Sequence, residues 1–178
     1  AMEGDKDCGG MIACNYYSGE PVTGLEEGRP MFLRRPDSHL GLANFMRSHL
    51  YASLATLKIG LDILLKEEDV KIDSITGHGG LFKTKGVGQS ILAAAMNAPI
   101  SVMETAGEGG AWGMALLAAY MLSKKDGQSL GDYLDSRIFA ERKSETMEPD
   151  LADVAGFETY TKQYQACLAA EKAAVQAF

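Results

Sequence analysis

The sequence is poor in the residues and motifs that mark several common kinds of protein. It has three cysteines, Cys8, Cys14 and Cys167, and this odd number without paired spacing is typical of neither a disulfide framework nor a zinc site. Lys and Arg number 17 against 24 Asp and Glu, and the net charge of -7 argues against a nucleic-acid-binding surface. No apolar run is long enough to cross a bilayer and no signal peptide is visible. We therefore expect a cytoplasmic protein with no membrane or nucleic-acid partner.

Short catalytic motifs are missing as well. Lys83-Thr84 lacks the G-x-x-x-x-G-K-[ST] frame of a phosphate-binding loop, and there is neither a G-x-S-x-G elbow nor a His–Glu metal motif. His39 and His49 have no second ligand at metal spacing, so we interpret His49 as a structural residue of a helix. The residues alone nominate no catalytic group and no metal site.

The chain is long enough for one domain with a substantial core. It has 178 residues, of which 46% are hydrophobic and 23% charged, so disorder is not expected. The first residues, Ala1-Met2-Glu3-Gly4-Asp5, look like a chain entered midway. We expect residues 1–178 to be one domain cut from a longer protein.

The stretch from Ser74 to Met121 organises the rest of the chain, because it twice reads as strand, glycine turn and helix. The predicted order is a strand at Ile72–Thr76, a turn at Gly77–Gly80, a helix at about Gly86–Asn97, a strand at Ile100–Met103, a turn at Gly107–Gly110 and a helix at Ala111–Met121. In α/β proteins, strand ends that open into helices through glycine are where ligands bind, and phosphates are the commonest of them.

The flanking segments are predicted from periodicity and turn residues. Apolar steps of three and four predict an amphipathic helix over Leu42–Leu65. The other predicted elements are strands at Met11–Tyr17 and Met31–Leu33, a short helix at Ser129–Leu134, an exposed loop at Glu141–Asp150 and a final helix at Asp153–Phe178 on the outside of the domain.

The two glycine turns have two interpretations. They free backbone N–H groups beside helix N-termini, so turns at adjacent strand ends would face one cleft and favour a nucleotide. Alternatively, the glycines only make tight corners. Gly107, Gly109 and Gly113 form G-x-G-x-x-x-G, close to the dinucleotide fingerprint, with Asp126 near the distance of the ribose-binding acid. A nicotinamide-dependent oxidoreductase therefore stays open as an alternative.

The residues around these turns resemble the carboxyl-terminal domain of the FGGY family of carbohydrate kinases. Gly79-Gly80, Pro99 before a strand, and the run from Glu108 to Ala118, EGGAWGMALLA, follow the family's order of elements. Ser18-Gly19-Glu20 is similar to a loop of xylulose and related ketose kinases. Asn44–Tyr51 resembles the helical part of the family signature, and it departs at His49 and Tyr51.

The resemblance covers roughly residues 9–121 and implies a fold and a function. The implied fold is α/β of the ribonuclease H-like type found in actin and sugar kinases, here as an incomplete domain that lacks its first hairpin. The implied activity is ATP-dependent phosphorylation of a ketopentose, xylulose first and ribulose second, with Mg²⁺ accompanying ATP. The implied partner is the amino-terminal domain of the same kinase. A non-catalytic actin-fold module that binds nucleotide is a further alternative.

The resemblance also assigns residues of the nucleotide site. It implies that Gly79 and Gly80 contact ADP near the α-phosphate and ribose, and that Thr84 borders the adenosine. Phe82 and Lys83 lie in the same turn, while Gly109 and Gly110 would back the pocket. The family's catalytic aspartate would lie before residue 1, so we expect the chain alone to be inactive. An unpaired sheet edge would favour self-association, for instance as a homodimer.

Overall fold

The computed structural model describes residues 1–104, 106–140 and 144–177. The chain divides into two compact units. Unit 1 comprises residues 1–73, 90–98 and 148–178, and unit 2 comprises residues 74–89 and 99–147. In the described part of the chain, no helix is both long and apolar enough to span a membrane.

Unit 1 contains an antiparallel hairpin of two strands. β1 is Met11–Cys14, all four of whose residues are buried, and β2 is Met31–Arg34. The register pairs Met11 with Arg34 and Cys14 with Met31. β1 ends three residues before the predicted Tyr17, and the Asn15 side chain that follows it contacts His49, with Asn15 Oδ1 3.0 Å from His49 Nδ1. His49 also packs on Phe32 and Phe45, which confirms its structural role.

Helix α1 spans Leu42–Lys66, as the periodicity predicts, but its buried face coincides only in part with the apolar positions spaced three and four apart, which are Leu42, Phe45, Met46, Leu50, Leu54, Leu57, Leu61 and Leu64. Of these positions, Leu42, Met46, Leu57 and Leu64 are exposed, and Leu54 is buried. The buried residues of α1 are Asn44, Arg47, Ser48, Tyr51, Ala52, Leu54 and Ala55. The helix is oriented by polar partners as well as by apolar area, because Arg47 and Tyr51 bind groups elsewhere in unit 1.

The final helix, α5, spans Leu151–Ala177, and Phe178 lies outside the described residues. Its inner face contributes Phe157, Tyr160 and Tyr164 to the core, each no more than 2% exposed. The Tyr160 hydroxyl donates to a backbone carbonyl of β1, Ala13 O, at 3.3 Å, which ties the helix to the hairpin. Aromatic burial of this extent is worth several kcal/mol, roughly 1.5–3 for each large side chain.

A buried cluster of Arg47, Tyr51 and Asp153 joins helix α1 to helix α5. Arg47 is 1% exposed and forms a close ion pair with Asp153 of α5. Its guanidinium also donates to the Tyr51 hydroxyl, from Nε at 3.1 Å and from Nη2 at 2.8 Å. Burial raises the pKa of Tyr51 to about 12, so the hydroxyl keeps its proton and donates it to Lys6 O at 3.1 Å. In this cluster Tyr51 accepts hydrogen bonds from the arginine, and Asp153 supplies the negative charge.

Unit 2 contains a three-stranded sheet in the order β3-β4-β5. β3 is Ile75–Gly77, β4 is Ile100–Met103 and β5 is Ser144–Met147; β3 and β4 are parallel, and β4 and β5 are antiparallel. Helix α2, Val87–Met96, follows β3, and its first three residues belong to unit 2. Unit 2 also contains helices α3, Gly109–Ser123, and α4, Leu130–Tyr133. The Ser129 hydroxyl caps α4, which continues directly into a five-residue π-helix at Leu134–Ile138.

Strand β5 corrects the prediction of an exposed loop at Glu141–Asp150; residues 141–143 lie outside the described part. The segment shows no apolar alternation in the sequence, because Ser144, Glu145 and Thr146 are all polar, and in the structure all three are exposed. It is a strand because its backbone pairs with β4, from Ile100–Met147 to Met103–Ser144. The Ser101 and Thr146 hydroxyls add a cross-strand hydrogen bond of 2.8 Å.

Candidate functional site

The carboxyl ends of β3 and β4 meet at one edge of the unit 2 sheet. The parallel register pairs Gly77 with Val102, so the segments that follow the two strands start side by side. β5 begins at the same edge, since Ser144 pairs with Met103. The prediction that both glycine segments lie at adjacent strand ends is confirmed, and this edge is the place where α/β folds bind ligands.

In the first glycine segment, the structure explains why Gly77 and Gly79 are glycines, but it gives no such reason for Gly80. Gly79 has a φ of 108°, a conformation that side-chain-bearing residues rarely adopt. At Gly77 the ring of Phe82 occupies the space that a Cβ would need. Gly80, by contrast, begins the 3₁₀ turn Gly80–Phe82, and no atom lies within 4 Å of its Cβ position. The space beside Gly80 is therefore open to a ligand.

The second glycine segment differs from the predicted turn. Gly107 lies in a 3₁₀ turn at Ala106–Glu108, while Gly109 and Gly110 are the first two residues of α3. A Cβ on Gly109 would lie 3.1 Å from the Cβ of His78, so this glycine allows the two segments to approach each other. Gly110 has no neighbour within 4 Å of its Cβ position.

An ion pair joins the two segments. Lys83 Nζ lies 2.7 Å from Glu108 Oε1, and Lys83 Cγ lies 3.1 Å from the Cβ position of Gly107. Both charged side chains are more than half exposed, so the pair contributes little free energy, about 0–1 kcal/mol. Lys83 is thus exposed and paired with an acid.

A cavity of about 370 Å³ opens at this edge of the sheet. Its volume is within the range of small-molecule sites, roughly 300–1,000 Å³. The lining residues come from the segment before α2, from α2, from the end of β4 and from the start of β5: Phe82, Thr84, Lys85, Gly86, Gln89, Val102, Met103, Glu104, Ser144 and Glu145.

Gln89 is the residue that holds the cavity wall together. It is 5% exposed, and its Nε2 donates to Ile100 O at 2.7 Å and to Glu145 O at 2.8 Å. One side chain therefore links the start of α2 to both β4 and β5. The sequence analysis missed Gln89, although a lone amide ahead of the apolar run Ile91–Met96 is a recognisable signal.

The chemistry of the lining suits binding better than reaction. Phe82, Val102 and Met103 provide apolar surface, and Thr84 provides a hydroxyl group, a combination suited to a flat heteroaromatic ring. Glu145 pairs with Lys85 at 3.1 Å. Among the described residues, no group of three His, Cys, Asp or Glu side chains could hold a metal ion.

A family model covers most of this chain. The model described as the C-terminal domain of the FGGY family of carbohydrate kinases matches residues 1–122. The chain belongs to the FGGY family. A search of curated proteins found no significant match.

Solved structures agree with the family in fold. A ligand-bound xylulose kinase from Lactobacillus acidophilus superposes with a TM-score of 0.66 at 19% identity, covering 95% of this chain and 33% of that one. A gluconate kinase from the same organism gives 0.69 at 19% identity, with 95% and 32% covered. A xylulose kinase from Rhodospirillum rubrum gives 0.66 at 19% identity, with 95% and 32% covered. The chain thus has the α/β fold of one part of these kinases and spans about a third of their length.

In this FGGY domain the nominated residues fall into two groups. Phe82 and Thr84 line the cavity. Five others, Gly79, Gly80, Lys83, Gly109 and Gly110, lie in the two adjoining glycine segments and do not line it. The residues missed were Lys85, Gly86, Gln89, Ser144 and Glu145, which come together only through the tertiary fold.

Proposed function

We propose that this chain is the nucleotide-binding part of an ATP-dependent sugar kinase with a ribonuclease H-like fold. The observation that carries the proposal is the open Gly79-Gly80 turn, which follows β3 and comes two residues before the cavity-lining Phe82. Membership of the FGGY carbohydrate kinases supports it. The same membership disfavours a nicotinamide-dependent oxidoreductase.

The residues present fit an adenine nucleotide. The backbone of Gly79 and Gly80 is accessible because neither Cβ position has an atom within 4 Å, so a ribose or α-phosphate can approach it. The cavity, with Phe82 and Thr84 in its wall, is large enough for the adenosine. Bound ATP would supply the transferred phosphoryl group, and Mg²⁺ would neutralise its charge. The part of this chain is to bind and orient the nucleotide.

Lys83 and Lys85, both paired with glutamates near the cavity, are the proposed phosphate-binding cations. Glu108 holds the ammonium of Lys83, and Glu145 holds that of Lys85. Both ion pairs are exposed, so a phosphate could displace either carboxylate at little cost. Lys83 is the stronger candidate for a phosphate contact, because it directly follows the turn that begins at Gly80.

The sugar and the remaining catalytic groups are proposed to involve the rest of a longer kinase. We propose a ketopentose substrate, xylulose before ribulose, and an amino-terminal domain that supplies the catalytic aspartate. Xylulose kinases among the similar structures support this choice, although a gluconate kinase is equally similar. The 178-residue chain by itself is then expected to show no sugar phosphorylation. We also propose a homodimer, favoured by the outer edge of β3, which pairs with no other strand in the described part of the chain.

The test is calorimetric titration of the chain with Mg-ADP, with NAD in parallel, repeated on Gly80→Val. We expect ADP to bind, NAD not to bind, and the valine to abolish ADP binding. The valine should not unfold the protein, because the space around the Gly80 Cβ position is open. Gly41→Val is the matched control, since Gly41 is equally open, has an extended backbone and lies outside unit 2.

Three results would contradict the proposal. Binding of ADP that survives Gly80→Val would mean that the turn does not contact the nucleotide. Preference for NAD would favour the oxidoreductase. If the folded chain binds neither nucleotide, the glycines serve only to make tight turns between strands and helices.

A further inference from the structure

A second cavity lies in unit 1, between the β1–β2 hairpin and helix α5. Its volume is about 250 Å³. Ile12 of β1, Leu33 of β2 and Ala166 of α5 give it apolar walls. It is smaller than a typical drug-sized site and therefore suits a ligand of about one ring or a short branched chain.

Two arginines make the rim of this cavity cationic in a protein whose net charge is -7. Arg34 and Arg35 both line it. Arg35 Nε is 3.2 Å from Asp37 Oδ1 in an exposed pair, which solvent weakens. Within the described ranges, the Arg34 side chain has no acidic partner within 4 Å. One guanidinium is thus available to an anion.

Gly10 lets the second guanidinium lie at the cavity edge. Its φ is +73°, and a Cβ there would be 3.0 Å from Arg35 Nη2. Gly10 O also accepts a hydrogen bond from Ser38 Oγ at 2.9 Å, which holds the Arg35–Ser38 segment against the start of β1. The contacts at Gly10 therefore fix the position of Arg35 relative to the hairpin.

We propose that this cavity binds a small carboxylic acid with an apolar body, whose carboxylate pairs with Arg34 beside Arg35. A guanidinium matches a carboxylate in planar, bidentate geometry. Because Asp37 already engages Arg35, one free cation suits a monoanion better than a phosphate dianion. No residue lines both this cavity and the candidate nucleotide site, and the inference does not depend on the proposed kinase function.

Cys167 provides a reporter inside the cavity. It lines the cavity and is partly exposed, whereas Cys8 and Cys14 are 0% exposed. Burial raises the pKa of all three thiols, that of Cys14 to about 12, so the difference in accessibility decides which of them reacts first. A thiol reagent should therefore modify Cys167 first in the folded chain.

The experiment measures the rate at which a chromogenic disulfide modifies the chain, with increasing benzoate. Benzoate should slow the modification of Cys167 in a saturable manner, and uncharged benzyl alcohol should not. Arg34→Gln should weaken the protection about tenfold or more, the usual result of losing a charged hydrogen-bond partner. Lys71→Gln removes the same charge from an exposed site and should leave the protection unchanged. Ala166→Phe should fill the cavity, slow the modification of Cys167 in the absence of benzoate, and leave no further slowing when benzoate is added.

The opposing outcomes are distinct. Equal protection by benzyl alcohol would reduce the site to an apolar groove, and stronger protection by phenyl phosphate would overturn the choice of a carboxylate. An equal loss in Arg34→Gln and Lys71→Gln would show general electrostatics. Absence of protection, with thermal unfolding unchanged in every variant, would overturn the site itself.

Discussion

Replacing Asp153 by Asn should strongly destabilise unit 1. The substitution keeps the shape of the side chain and removes its charge, and it leaves the guanidinium of Arg47 without its anionic partner. Burial by itself would lower the pKa of Arg47, but Tyr51 and Asp153 together raise it, so the arginine is charged in the folded protein. In the Asp153→Asn variant, a neutral amide would have to coexist with a cation that is 1% exposed.

The expected loss follows from burial. Removing one partner of a buried ion pair costs about 3–5 kcal/mol, because the other charge remains desolvated. A chain of this kind has a total unfolding free energy of roughly 5–15 kcal/mol. Asp153→Asn should therefore remove a large share of the stability. Lys6, the second cation on Asp153 at 2.8 Å, is 48% exposed, so Lys6→Ala should cost less than about 1 kcal/mol.

Urea unfolding followed by circular dichroism measures these differences. The double variant Arg47→Met, Asp153→Leu should recover much of the loss, because it removes both buried charges together. A loss below about 1 kcal/mol for Asp153→Asn would refute the reasoning. So would a double variant that is less stable than Asp153→Asn alone.

Three further predictions concern single side chains. Tyr51→Phe removes the hydroxyl that accepts two Arg47 hydrogen bonds and should cost about 1–3 kcal/mol in urea unfolding. Gln89→Ala removes one hydrogen bond from each of two strand carbonyls, Ile100 O and Glu145 O, and should speed amide exchange in β5 with little change in β1. Asp150 caps α5, and the backbone N–H of Asp153 is the main cause of its lowered pKa. Its contribution is present above pH about 4 and is lost on acidification, so any melting-temperature advantage over Asp150→Asn should disappear as the pH falls below that value.

Local patterns predicted most of the elements, because their causes lie within a few residues. The three- and four-residue steps of α1 marked a helix that the structure bounds at Leu42–Lys66. Ser129 predicted the start of α4, since its hydroxyl accepts from Asp132 N at 3.1 Å. β4 has the predicted bounds, Ile100–Met103, whereas β3, predicted at Ile72–Thr76, is Ile75–Gly77 and therefore begins three residues later and includes the first glycine.

What the patterns missed depends on partners distant in sequence. The buried face of α1 is set partly by Arg47, whose anionic partner lies 106 residues away. β5 exists because of pairing with β4, and its own side chains are polar. The cavity could not be listed residue by residue for the same reason: Gln89 and Glu145 are 56 positions apart. The resemblance to the FGGY kinases identified the two glycine segments from the sequence. The residues that form the cavity wall could be identified only from the folded structure.

The polar character of β5 has a consequence for how this protein behaves at high concentration. β5 closes one edge of the unit 2 sheet, and an edge strand is a template on which another chain can add and start an aggregate. Glu145 places a charge at this edge, where an incoming strand would have to pair. Ser144 and Thr146 offer no apolar surface whose burial would stabilise the added strand. The polar, charged edge therefore disfavours the addition of another strand, and we expect Glu145→Val to aggregate faster than the parent chain at the same concentration, as measured by light scattering.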